Sequence, residues 1–131
     1  MSHRIRLAGP WEWCGIGDPQ ESLSKKNGCK LPFTLAENFC DAGVMLMRRF
    51  HRPTGIDDTT EMRIVLMASV KPTDVQLNGK TLPGCESTDK SECCFDLTGR
   101  AESFNQLSVL LMPQTDTAAT LHAVWLEIMA Q

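Results

Sequence analysis

Hydrophobic and polar positions alternate along most of this chain, the period of two expected of strands with one face in a core and the other in water. Arg4-Ile5-Arg6-Leu7-Ala8 alternates up to Gly9-Pro10, and Trp11-Glu12-Trp13 continues the pattern, which places both indoles on one side of an extended backbone. Val44 to His51 is a further extended run, with Val44, Leu46, Arg48 and Phe50 on one face and Met45, Met47, Arg49 and His51 on the other. Glu61 to Val70 puts Met62, Ile64, Leu66 and Ala68 on one apolar face; helix competes here, but β-branched content and the neighbouring runs favour a strand. Val75 to Leu82 carries Asn78-Gly79 at its centre, two residues tolerant of positive φ, and predicts a tight hairpin. Short strands follow at Cys93 to Leu97 and at Gln106 to Met112, the latter with Leu107, Val109 and Leu111 inward. Glu102 to Asn105 between them reads as a turn of helix.

The last run, Ala118 to Ala130, is apolar on both sides. Its Ala, Leu and Met content raises helix propensity, but its place after a series of evenly spaced short strands predicts a final strand with Trp125 in the core. From about 15 to 43 the periodicity lapses: Gly17-Asp18-Pro19, Asn27-Gly28 and Leu31-Pro32 are turn signals, and Thr34 to Glu37 has the spacing of a helix-capping box ending near Phe39. With no internal repeat or linker, the expected architecture is a single all-β domain over residues 1–131. It is a two-sheet antiparallel sandwich of jelly-roll type with one irregular segment at about 15–43.

Composition narrows the function classes. The 131 residues are 42% hydrophobic and 22% charged, ordinary for a globular chain and too few for a barrel enzyme of about 250 residues. Thirteen basic against 16 acidic residues give a net charge of −3, so no basic footprint for nucleic acid exists. No apolar run approaches the roughly 20 residues of a membrane-spanning helix. Met1 to Leu7 lacks the apolar stretch of a secretory signal, which predicts a cytoplasmic protein.

Six cysteines, Cys14, Cys29, Cys40, Cys85, Cys93 and Cys94, suggest a disulfide framework, but such frameworks belong to small secreted domains short of core. No Cys-x-x-Cys spacing points to zinc, and no compact Asp-x-Asp loop points to calcium, so no metal or cofactor is expected. Convergence of Cys85, Cys93 and Cys94, with His51 or His122 beside them, is the one arrangement that would make a thiol- or metal-dependent site. Asp57, Asp58 and Glu61 read as exposed turn acids without the facing partner that two-carboxylate chemistry needs. Seven methionines, five of them on the predicted strands (Met45, Met47, Met62, Met67 and Met112), either fill core gaps or form an adaptable protein-binding face.

From Val44 onward the order of motifs resembles the sugar-binding jelly-roll domain of family 2 glycoside hydrolases and other galactose-binding-like sandwiches. The residues that carry the resemblance are Arg49-Phe50 followed by Pro53, then Ile64 to Met67, Val75-Gln76-Leu77-Asn78-Gly79, and Phe95-Asp96-Leu97-Thr98. Asn105-Gln106-Leu107-Ser108-Val109 and the closing Val124 to Ile128 complete it. The catalytic barrel of that family has no counterpart here, the aromatic usual before Arg-Phe is replaced by Met47, and the segment at 15–43 matches nothing in it. The resemblance implies a non-catalytic binding domain with carbohydrate as its ligand class; a protein-interaction or assembly role is the alternative. A sugar site needs an aromatic platform and convergent polar groups. Trp11 and Trp13 are the candidate platforms, although strand tryptophans are more often core. Arg49, His51 and Arg52, with Arg48, are the candidate polar grip unless they pair with Asp57, Asp58 or Glu61.

Overall fold

The computed structural model describes residues 2–15, 26–35, 43–85, 91–112 and 119–129. Twelve strands run through them, with no helix among the described residues: β1 (Ser2–Arg6), β2 (Trp11–Gly15), β3 (Lys26–Cys29), β4 (Phe33–Leu35), β5 (Val44–His51), β6 (Met62–Ala68), β7 (Asp74–Leu77), β8 (Lys80–Thr81), β9 (Gly84–Cys85), β10 (Glu92–Asp96), β11 (Phe104–Leu111) and β12 (Ala119–Met129). One antiparallel sheet has the order β1-β12-β6-β10-β9, with β4 paired to the first part of β12; the other has the order β3-β2-β5-β11-β7-β8. This is the two-sheet galactose-binding-like sandwich that the alternation and the resemblance predict.

The core follows from the two-residue period. Ile64, Leu66, Phe95, Leu97, Val124 and Leu126 from the first sheet share one buried cluster with Trp11, Val44, Leu46, Phe50, Val75, Leu107, Val109 and Leu111 from the second. The Asn78-Gly79 turn joins β7 to β8 with φ of 53° and 84°, both left-handed, and pairs Leu77 with Lys80 as a two-residue hairpin requires.

Four local expectations are corrected. Thr34 starts no helix: it lies in β4, where its hydroxyl is 2.9 Å from that of Thr120 on β12. The remainder of that capping-box segment lies outside the described residues. Asn27-Gly28 is no turn but part of β3, where Lys26 and Cys29 face Trp13 and Trp11, so β3 carries an extra residue as a bulge. Glu102 to Asn105 forms no helical turn. The Asn105 side chain closes a tight loop on Glu102, and β11 begins already at Phe104.

Trp125 is not core either. The pairing of β12 with β6 shifts between Leu121 and Ala123, leaving exposed His122 as the extra residue of a bulge. Before the bulge Ala119 and Leu121 are buried, and after it Val124 and Leu126 are. One strand thus uses both parities, which is why it reads as apolar on both sides. Trp125 falls on the outer face, half-buried, with the Arg4 guanidinium 5.4 Å above its ring centre.

The same outer face holds the most buried charge among the described residues, Glu127, only 4% exposed. Arg4 Nε donates to its Oε2 and Arg63 Nε to its Oε1, both at 2.6 Å, and Arg4 also reaches Glu92 at 3.0 Å. These contacts tie β1, β12, β6 and β10 together across the sheet. Burial acts to raise the Glu127 carboxyl, and the hydrogen bonds from Arg4 and Arg63 more than reverse it, holding the group below the usual carboxylate range. A depressed carboxylate contributes stability that is complete above its unfolded-state pKa and is lost as pH falls through its folded value. Glu127→Gln should therefore cost about 1–3 kcal/mol at pH 7, less than a fully buried pair because both guanidinium groups remain partly in water. It should also lessen the loss of stability on the acid side. Urea unfolding at neutral and acid pH measures both; an unchanged midpoint at pH 7 would show that the clamp contributes nothing.

Candidate functional site

Residues facing away from the core on the second sheet are set by the register between β5 and β11. Phe104 lies opposite His51 and Gln106 opposite Arg49, so these four side chains share the outer face, while Asn105 and Phe50 between them turn inward. The Asn78 turn closes one side. Asn78 N donates to Gln106 O at 2.9 Å, and Gln106 N returns a bond to Asn78 Oδ1 at 2.8 Å. The result is a groove of about 350 Å³ lined by Arg49, His51, Asn78, Phe104 and Gln106, within the usual range for small-ligand sites. Arg49 and Gln106 also line an adjoining cleft of about 250 Å³ with Glu12 and Met47, so the recess continues across the sheet toward β2.

Phe104 is 72% exposed and is the one exposed large hydrophobic among the described residues. His51 meets it edge-on, ring centres 4.8 Å apart, which leaves a phenyl face available to solvent. No carboxylate among the described residues pairs with Arg49. An aromatic face of this kind suits the apolar C–H face of a sugar ring, while the Arg49 guanidinium and the Gln106 amide suit its hydroxyls.

Beneath this surface sits the Asn105 amide, 3% exposed. Its Oδ1 accepts from Glu102 N at 2.8 Å and from Asn78 Nδ2 at 3.3 Å, and its Nδ2 donates to Glu102 O at 2.8 Å and Phe50 O at 3.4 Å. One side chain thereby fixes the loop before β11, the β7–β8 turn and the end of β5, the three segments that form the groove.

The predicted site residues separate. Arg49 and His51 meet in the groove. Trp11 does not: it is 0% exposed, with its indole N–H donating to Leu7 O at 3.0 Å, and offers no face to a ligand. Trp13 lies on the same inward side, half-buried against the core with its ring centre 6.1 Å from that of Phe33. Both indoles do share one side, as the alternation predicts, and that side is the interior. Arg52 is drawn off the groove by Asp58 at 3.5 Å and Ile56 O at 3.4 Å. Arg48 is held by Ala8 O at 2.6 Å and the Arg49 carbonyl. Asp57 caps its own turn through Thr59 and Thr60; the hydrogen bonds from Thr59 lower its pKa.

The three cysteines Cys85, Cys93 and Cys94 do not converge: Cys85 lies opposite Cys94, and Cys93 is turned away from both. Cys93 packs toward the core and Cys94, its neighbour on the strand, faces the opposite way; no group of three or more metal-binding side chains exists among the described residues. Met47 and Met62 are buried and Met45, Met67 and Met112 half-buried, so they form no open apolar face. Phe104, Gln106 and Asn105 were missed as site residues by the sequence reading. The inward series Leu107, Val109 and Leu111, extended back by two, places Asn105 inside and Phe104 outside; the helical-turn reading concealed it.

The fold is that of a jelly-roll domain of the galactose-binding-like kind, shared with a domain of family 2 glycoside hydrolases. No protein-family model and no curated protein matches the chain. Among solved structures it is similar to a Ruminococcus gnavus β-glucuronidase, with 13% identity and a TM-score of 0.69, covering 98% of this chain and 28% of that one. It is also similar to a calcium-binding mutant of Bacteroides uniformis β-glucuronidase 2, with 16% identity and a TM-score of 0.71, covering 98% of this chain and 18% of that one. The chain thus spans less than a third of either protein, and at these identities the likeness is one of fold.

The groove predicts a contrast between neighbours. Asn105→Ala should cost about 2–3 kcal/mol, since it orphans buried backbone groups, whereas Phe104→Ala should cost less than about 1 kcal/mol. Chemical denaturation of both variants measures this. Equal losses would mean that Phe104 is held in place for stability.

Proposed function

We propose that this chain is a non-catalytic carbohydrate-binding domain, with the Phe104 groove as its binding site. Phe104 stacks on a sugar ring, His51 sets the angle of the phenyl group, Arg49 and Gln106 hold hydroxyl groups, and the Asn78 turn walls the groove. The observation that carries the reading is the exposure of Phe104. The buried Asn105 puts position 104 on the outer face but does not require an apolar side chain there, and a phenyl ring left in water forgoes burial worth about 2 kcal/mol. A ligand with an apolar face recovers that loss. The kinship in fold with proteins named as β-glucuronidases supports carbohydrate over other ligands with an apolar face. No pair of facing carboxylates accompanies the groove among its lining residues, so the reading assigns it binding without bond cleavage.

The test is thermal unfolding with a broad panel of mono- and oligosaccharides. A sugar at about 100 times its Kd stabilises by roughly 2.7 kcal/mol, several degrees for a domain of this size. The shift should vanish in Phe104→Ala and shrink in Arg49→Ala, with the unliganded Tm of each close to wild type. A shift of full size in both variants would place the sugar elsewhere, and an absence of any sugar-dependent shift across the panel would remove carbohydrate as the ligand class.

A further inference from the structure

On the other sheet, Cys85 of β9 lies directly opposite Cys94 of β10. Two residues further along β10, Asp96 N donates to Pro83 O at 2.9 Å. Hydrogen-bonded and non-hydrogen-bonded pairs alternate along an antiparallel ladder, so Cys85 and Cys94 occupy a hydrogen-bonded position, like Asp96 and Pro83. Cα atoms at such positions are about 5.5 Å apart, inside the roughly 4.4–6.8 Å window of disulfides. Directly opposed residues also point to the same face. Neither cysteine is in a disulfide in this structure, and Arg63 lines the same cleft as Cys85. Cys94 is buried, whereas Cys85 is half-buried and lines a cleft of about 530 Å³ beside Glu61, Arg63 and Asp96, which gives a small oxidant access to it. Cys93 faces the core, away from both.

We infer that Cys85 and Cys94 are a redox-controlled pair that closes to a cross-strand disulfide on exposure to a peroxide. The Cys85 thiolate attacks one peroxide oxygen, the O–O bond breaks, and the departing hydroxide takes a proton to leave as water, with a sulfenic acid on Cys85. The Cys94 sulfur then attacks the Cys85 sulfur, forming the S–S bond and expelling a second water. Two thiols and one hydrogen peroxide thus give one disulfide and two waters; the sulfurs lose two electrons and the peroxide gains them. Burial pushes the Cys85 thiol up, with the neighbouring Cys94 adding to this and Arg63 opposing it, so the step quickens as pH rises. Closure fastens β9, a two-residue strand at the edge of the sheet, to β10.

The sequence supplies a clean assay. Cleavage after Lys80, Lys90 and Arg100 places Cys85 in the peptide 81–90 and both Cys93 and Cys94 in 91–100. Full-length reduced protein treated with a small excess of hydrogen peroxide, then alkylated and digested, should yield these two peptides linked, lighter than the reduced pair by ~2 Da. The link should persist in Cys93→Ser and be absent from Cys94→Ser and Cys85→Ser. The Tm of the oxidised wild type should exceed that of the reduced form by roughly 5 °C or more, reversibly with a dithiol reductant. Unlinked peptides carrying sulfinic acid would overturn the inference in the wild type alone. A link that survives Cys94→Ser would overturn it by making Cys93 the partner.

Discussion

A buried amide must find partners for both its oxygen and its nitrogen, because leaving either unpaired costs about 1–3 kcal/mol. Asn105 meets that requirement with backbone groups of Glu102 and Phe50 and with the Asn78 side chain, and no two of these partners share a strand. The outer surface of the second sheet follows from it. Once Asn105 points inward, the pleat puts Phe104 and Gln106 outward, and the register with β5 puts His51 and Arg49 beside them. The Asn78-Gly79 turn is a tight hairpin in its own right, and its amide reaching Asn105 also sets its position over β11. The groove is thus the outer face of an inner hydrogen-bond network.

The two outer faces spend their charges differently. On the first sheet, Arg4 and Arg63 converge on Glu127, and Arg4 turns also to Glu92 and Trp125, so cations and carboxylates satisfy one another across four strands. On the second, Arg48 and Arg52 are taken up by a carbonyl and by Asp58, and of the three arginines Arg49 stands in the groove, with His51, beside an uncovered aromatic ring. A surface that neutralises itself has little left for a ligand. One that leaves a guanidinium, the Gln106 amide and a phenyl face converging on open solvent has groups suited to recognition.

Period-two patterning made most of the fold legible: β5, β6, β7, β10 and β11 stand where it puts them, β12 follows from its place after them, and Asn78-Gly79 marks its turn without help from the rest of the chain. What escaped has physical causes. β3 and β4 are short edge strands, four and three residues long, too brief to display a period; β3 is further interrupted by a bulge. The bulge at His122 reverses the parity of β12 partway along, so no single phase describes that strand and Trp125 is misplaced by it. Part of the candidate groove was legible in the same way. Arg49 and His51 share a face by simple alternation, but Arg52, one residue beyond the strand, leaves that face for Asp58.

The aromatic platform shows where such reading stops. Trp11 and Trp13 looked suitable because tryptophan is large and flat, yet the same size drives Trp11 into the core, where its N–H finds the Leu7 carbonyl. Phe104 has the smaller ring and no polar handle, and it is the one left in solvent because its neighbour Asn105 has the stronger claim on the interior. Alternation assigns residues to two faces without saying which is wet; that choice belongs to the residue with the most to lose by exposure or by unpaired burial. Fold likeness does not settle it either, since at 13–16% identity the shared sandwich leaves its outer faces free to differ. In this chain the apolar group that the hydrogen-bonding of its neighbour places outward is Phe104, and that placement is what singles out the groove as the candidate site.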